Sequence, residues 1–151
     1  MREVLFNGQP RGQLWTASLQ ETEELVRPEA FSAYARYGIR GVLTAAADVR
    51  PRCVAVLPQL CLPVVETGET TPGYFFSLAC QFARKFSPLI VHCNAGQHRS
   101  RVIAAAIACK VWQMGLEDAI RAAEPLRAVD GSDSALLRSM RSWALSLESR
   151  S

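Results

Sequence analysis

The sequence predicts an α/β fold: one domain spanning residues 1–151, built on a small, mostly parallel sheet with helices on both faces. Three observations carry that expectation. Short apolar runs, among them Ile39 to Thr44 and Leu89-Ile90-Val91, have the length and the apolar character of buried strands. Between them lie segments whose apolar residues recur every three or four positions, the spacing of a helix laid against a core. Strands that alternate with helices need crossover connections and so run parallel, and 151 residues allow one such domain with a single substantial core.

Composition narrows the function classes. With 49% apolar and 21% charged residues the chain is an ordinary globule, and disorder is not expected. Its formal charge of +3 comes from scattered basic residues, which argues against a nucleic-acid surface and suits an anionic substrate. The start, Met1-Arg2-Glu3-Val4, lacks the apolar core of a secretory signal, and no run reaches membrane-spanning length; a cytoplasmic, monomeric protein is expected. Five cysteines, an odd number without framework spacing, fit a reducing compartment. Cys53, Cys61, Cys80 and Cys109 are expected as core filling, although one of them can form a disulfide with an oxidised Cys93.

In chain order, the stretch from Val4 to Leu19 suggests two short strands, with turns at Asn7-Gly8 and Pro10-Arg11-Gly12 and with Trp15 in the core. Pro28 to Tyr37 reads as a helix that Gly38 ends, and a strand from Ile39 to Thr44 comes next. Asp48, just beyond that strand, is expected in a turn or as a cap; a catalytic part is its other reading. Leu60 to Val65 reads as a further buried segment, running into the polar loop Glu66 to Gly73. A helix from Thr71-Pro72-Gly73 to about Phe86 places Phe75, Leu78, Ala79, Phe82 and Phe86 on one face. After Leu89-Ile90-Val91, a helix begins near Arg99, Gly115 interrupts it, and Glu117 to Ala123 forms a short helix stopped by Pro125. The last helix, from near Asp133 to about Leu147, buries Leu136, Leu137, Met140, Trp143, Ala144 and Leu147, with Asp133 as its expected N-cap.

The chemistry concentrates in His92-Cys93-Asn94-Ala95-Gly96-Gln97-His98-Arg99-Ser100, a loop between a buried strand and a helix N-terminus. Such a loop can curl so that several backbone N–H groups point into one hollow, which binds an anion. Gly96 supplies freedom where the turn is tightest, and Arg99 offers a planar fork of donors to two phosphate oxygens. Thiols beside a helix N-terminus and a guanidinium are nucleophilic near neutrality. Cys93 can then attack a phosphate ester while the N–H groups of Asn94 to Arg99 stabilise the equatorial oxygens, and Ser100 can donate a hydrogen bond that eases departure of the thiolate. His92 is expected to orient the loop, and Gln97 and His98 to flank its rim or pack within it. A metal site made from His92, Cys93 and His98 is the other arrangement these residues permit, but no second ligand cluster accompanies it, so no metal or cofactor is expected.

His-Cys-x-x-Gly-x-x-Arg-Ser resembles the active-site signature of the cysteine-dependent protein tyrosine phosphatase superfamily, and of its dual-specificity branch in particular. Gln13 to Leu19 resembles the opening strand of that branch, Tyr37 to Asp48 its segment leading to the second buried strand, and Asp130-Gly131-Ser132-Asp133 its turn behind the phosphate loop. The resemblance implies metal-independent hydrolysis of phosphomonoesters on Tyr and on Ser/Thr through a phosphocysteine intermediate. It also implies a general acid, an aspartate three residues beyond a proline on the loop after the preceding strand. This chain departs there: three residues beyond Pro63 stands Glu66, 27 residues before Cys93, in what reads as a shortened loop. Glu69 is the rival, and a site without a carboxylic acid is the third possibility. The missing aspartate keeps open a non-protein phosphate with a better leaving group, such as an RNA 5′-triphosphate, a phosphoinositide or a polyphosphate. A phosphate-binding module without turnover is a further alternative.

Overall fold

The computed structural model describes residues 1–5, 11–25, 37–49, 57–65, 70–125, 127 and 130–148. The described strands are β1 (Arg2–Glu3), β2 (Leu14–Ala17), β3 (Gly41–Ala45), β4 (Gln59–Leu62) and β5 (Leu89–His92). The described helices are α1 (Leu19–Leu25), α2 (Gly73–Phe86), α3 (Arg99–Val111), α4 (Leu116–Ala123) and α5 (Ala135–Glu148). The strands form one sheet in the order β1-β2-β5-β3-β4; β1 is antiparallel to β2 and every other described pair is parallel. The predicted α/β class with a small, mostly parallel sheet is therefore present.

Strand β5 lies at the centre because all four of its residues are buried, and a strand covered on both faces needs no polar alternation. Its neighbours fix the geometry of everything beyond it, since His92 is level with Ala17 on β2 and with Thr44 on β3. The carboxyl ends of three parallel strands thus open side by side. One face of the sheet, with Leu14, Leu43, Leu89 and Val91, belongs to the main core that α2, α3, α4 and α5 complete. The other face carries Trp15, Ala17 and Ile90 and is covered by Ile39, Leu25, Tyr37 and Leu57. Helix α3 is buried from Val102 through Ala108 because it contacts the sheet as well as α2, α4 and α5; its alanines permit that approach on every side.

Several expectations need correction. The first strand is Arg2–Glu3 rather than a segment starting at Val4, and after β2 the chain turns at once into α1. A reciprocal capping box starts α1: the Glu21 N–H donates to Ser18 Oγ at 3.1 Å and the Ser18 N–H to Glu21 Oε1 at 3.0 Å. Strand β4 is an edge strand with Gln59 and Cys61 exposed, so Cys61 does not fill the core, whereas Cys80 does and Cys109 is half-buried. The apolar stripe of α2 is turned from the expected one: Phe75, Phe76, Ala79, Cys80 and Ala83 are buried, and Leu78 is exposed because α3 and α5 meet the helix on its other side. The cap of α5 is Ser134, whose Oγ accepts from the Leu137 N–H at 3.1 Å. Asp133 is drawn away by Arg127 at 2.6 Å and Arg141 at 2.5 Å. Of the helix expected at Pro28 to Tyr37 only the end is described, with Tyr37 helical and Gly38 at a φ of 64°; Asn7-Gly8 and Cys53 lie outside the described residues.

Candidate active site

Cys93 comes directly after the central strand and is buried at the floor of the loop. Gly96 adopts a φ of 74°, and a Cβ there would stand 2.7 Å from the carbonyl carbon of Ala17 and 2.8 Å from the Ser18 nitrogen. Glycine is needed for backbone angle and for space alike. The exposed lip of the loop is tied down by the Leu19 N–H, which donates to the Asn94 carbonyl at 2.9 Å. Behind the loop, Arg101 Nε donates to the Gly96 carbonyl at 2.9 Å.

The predicted residues come together. Ser100 Oγ lies 3.4 Å from Cys93 Sγ, within reach for the hydroxyl to donate to a thiolate. His92 is fully buried, with Nδ1 3.1 Å from the Cys93 carbonyl and Nε2 2.8 Å from Thr44 Oγ1. The carbonyl can only accept, so Nδ1 carries the proton and Nε2 accepts from the Thr44 hydroxyl. Burial pushes the His92 imidazolium below its ordinary range, against weaker upward influences from the Cys93 carbonyl and Glu23. A neutral ring held at both nitrogens links the Cys93 carbonyl to Thr44 of β3.

Arg99 is buried beneath the mouth of the loop, and its Nη1 donates to Asp48 Oδ1 at 2.6 Å and to the Val64 carbonyl at 3.3 Å. Asp48 is therefore not simply a turn or cap residue. Its side chain is 65% exposed, yet its hydrogen bond to Arg99 holds the carboxyl below the usual carboxylate range. Near neutrality it is ionised and pairs with the guanidinium. The meeting results from the parallel register, because β3 and β5 end level and the turns after Ala45 and His92 emerge as neighbours. Asn94, Ala95 and Gln97 line the exposed lip, with His98 half-buried at the start of α3. A cavity of about 420 Å³ lined by Ser18, Leu19, Gln20, Glu23, Asn94 and Ala95 adjoins that lip. Glu66 and Glu69 lie outside the described residues; the chain approaches them through Val64, whose carbonyl rests on Arg99.

Fold and loop together define a class: this is the fold of the dual-specificity phosphatases. Human DUSP28 superposes with a TM-score of 0.69 at 16% identity, covering 91% of this chain and 95% of its own. DUSP15 gives 0.66 at 20% identity over 100% and 96%, and PTPMT1, solved in complex with PI(5)P, gives 0.64 at 19% identity over 92% and 94%. No family model matches the chain, and no curated protein matches it in sequence. At these identities the likeness establishes the fold, and the chemistry rests on the residues themselves.

Proposed function

We propose that the protein is a phosphomonoester hydrolase, a dual-specificity protein phosphatase that removes phosphate from Tyr and Ser/Thr. The observation that carries this reading is the joint placement of Cys93, Ser100 and buried Arg99 around one loop at the carboxyl end of the central strand. Cys93 Sγ attacks phosphorus and the ester oxygen leaves with a proton. Water then attacks the phosphocysteine, and the S–P bond breaks as Ser100 donates to the departing thiolate. Glu66 supplies the first proton, with Glu69 as its rival. Arg99 and the N–H groups of Asn94 to Arg99 hold the equatorial oxygens.

A specific observation keeps a second substrate class in view: PTPMT1, which shares the fold, binds PI(5)P. Against a polyanionic substrate here stands the loop itself, whose residues Asn94, Ala95, Gly96, Gln97 and His98 add no lysine or arginine to Arg99. We place the enzyme in the cytoplasm as a monomer; the thiols at Cys61, Cys80 and Cys93 suit a reducing compartment. Phosphopeptides, a phosphoinositide and a 5′-triphosphorylated RNA, each incubated with purified protein without added metal, test the reading. Turnover of phosphopeptides is expected, with Cys93→Ser inactive on every substrate. Turnover confined to the lipid or RNA selects the second class, binding of phosphate without product release selects a binding module, and activity surviving in Cys93→Ser removes the mechanism.

A further inference from the structure

We infer that Arg101 is a positioning residue that holds the anion cradle in its binding conformation, an inference that rests on the function proposed above. As the third residue of α3 it looks like a surface arginine. Helical side chains tilt toward the N-terminus, however, and this one reaches back five residues along the sequence. Its Nε donates to the Gly96 carbonyl at 2.9 Å and its Nη1 to the Glu124 carbonyl at 3.0 Å.

The first bond fixes a peptide plane. The Gly96-Gln97 bond is trans, so its carbonyl and N–H point in opposite directions. With the carbonyl drawn back onto Arg101, the Gln97 N–H is turned to the opposite side, the side of the hollow. Glycine at a φ of 74° has freedom to rotate that plane, and the reversed plane would present a carbonyl oxygen to an anion. Arg101 selects between the two.

The second bond fixes Arg101 itself. Glu124 caps α4 in the left-handed conformation, with a φ of 49°, and its carbonyl lies at the negative end of that helix, where a guanidinium is favoured. The same helix end is held from the other side by Arg2, whose Nη1 donates to the Ala123 carbonyl at 2.9 Å and whose Nη2 pairs with Glu124 Oε1 at 3.2 Å. Both acceptors of Arg101 are backbone carbonyls, so its placement depends on the packing of α4 against α3 rather than on an exposed carboxylate. A lysine ammonium is a single point of charge and cannot span two acceptors as the guanidinium fork does.

Arg101→Met keeps the stem and removes the donors; Arg101→Lys restores the charge and one contact. Binding of inorganic phosphate to the Cys93→Ser protein, measured by calorimetry, reports the cradle without turnover, and kcat and KM for an aryl phosphate report it with turnover. Arg101→Met is expected to weaken phosphate binding about tenfold, the scale of one hydrogen bond to a charged group. It is expected to lower kcat by more than it raises KM, since equatorial charge is held most tightly in the transition state. Arg101→Lys is expected to recover part of both, with melting temperatures within a few degrees of the parent; should Arg101→Met fail to fold, Arg101→Lys against parent carries the comparison. Equal phosphate affinity in parent and variant overturns the inference, as does a loss that merely tracks the melting temperature. A parent that binds no phosphate at all overturns the functional reading and this inference with it.

Discussion

The centre of the sheet and its edge contribute to the site in opposite ways. Central β5 and its neighbour β3 are buried at every residue, and their carboxyl ends and the segments beyond them are joined by close contacts: His92 to Thr44, Arg99 to Asp48, Cys93 beside Ser100. Edge strand β4 exposes Gln59 and Cys61, pairs among the described strands with β3 alone, and precedes in sequence the segment that carries Glu66, the acid proposed above. Burial on both sides leaves the cradle one register in which to form. Beyond that edge the sequence carries Glu66 where the family resemblance implies an aspartate.

Substitutions at the two regions can break that contrast. The largest effect is expected at the centre: Arg99→Lys loses the planar fork and lowers kcat/KM on every substrate by roughly a hundredfold or more. An equal rate with lysine would mean that a point charge suffices and that the pairing with Asp48 is incidental. At the edge, Glu66→Gln should lower the rate on an alkyl phosphate by about a hundredfold while leaving an activated aryl phosphate nearly unchanged, because only the poor leaving group needs protonation. An even loss on both substrates would remove Glu66 as the acid, and the same pair of assays on Glu69→Gln would test its rival. Asp48→Ala is expected to cost about tenfold in kcat/KM through a loosened Arg99, with Asp48→Asn in between because it keeps an acceptor oxygen. No loss in either variant would detach Asp48 from the site.

The smallest effect concerns pH. His92 is neutral and buried, and its folded pKa lies below its unfolded value. Below about pH 6.5 the unfolded chain takes up a proton that the native state refuses, so stability falls as pH drops from there toward the folded pKa, at no more than about 1.4 kcal/mol per unit. Denaturant midpoints between pH 7 and 5 should therefore decline less steeply in His92→Asn than in the parent. Identical slopes would place the acid sensitivity elsewhere.

The cradle is legible in the sequence because everything it needs is local: a strand, a cysteine, a glycine, an arginine and a serine between Leu89 and Ser100. Helix α1 is just as local, announced by Ser18-x-x-Glu21, but the strand pattern of Gln13 to Leu19 runs over its start and hides it. Asp48 differs in kind, since its contact with Arg99 depends on which strands become neighbours, and sequence pattern does not reveal strand order. Arg101 carries no local mark at all; its two acceptors are carbonyls, and any arginine in a first helical turn reads alike. The stripe of α2 is displaced because its burial is decided by α3 and α5, helices that lie later in the chain.

The hydrogen bond from the Leu19 N–H to the Asn94 carbonyl gives the site its own reporter. That amide opens the first turn of α1, where no helical acceptor exists for it, and its described partner is the Asn94 carbonyl. Deuterium should enter at Leu19 at the rate at which the lip of the cradle lifts, while amides of β5 wait for the sheet to come apart. The Leu19 rate, read by nuclear magnetic resonance and set against that of an unprotected amide, measures how much of the resting population holds this loop closed, with no substrate present.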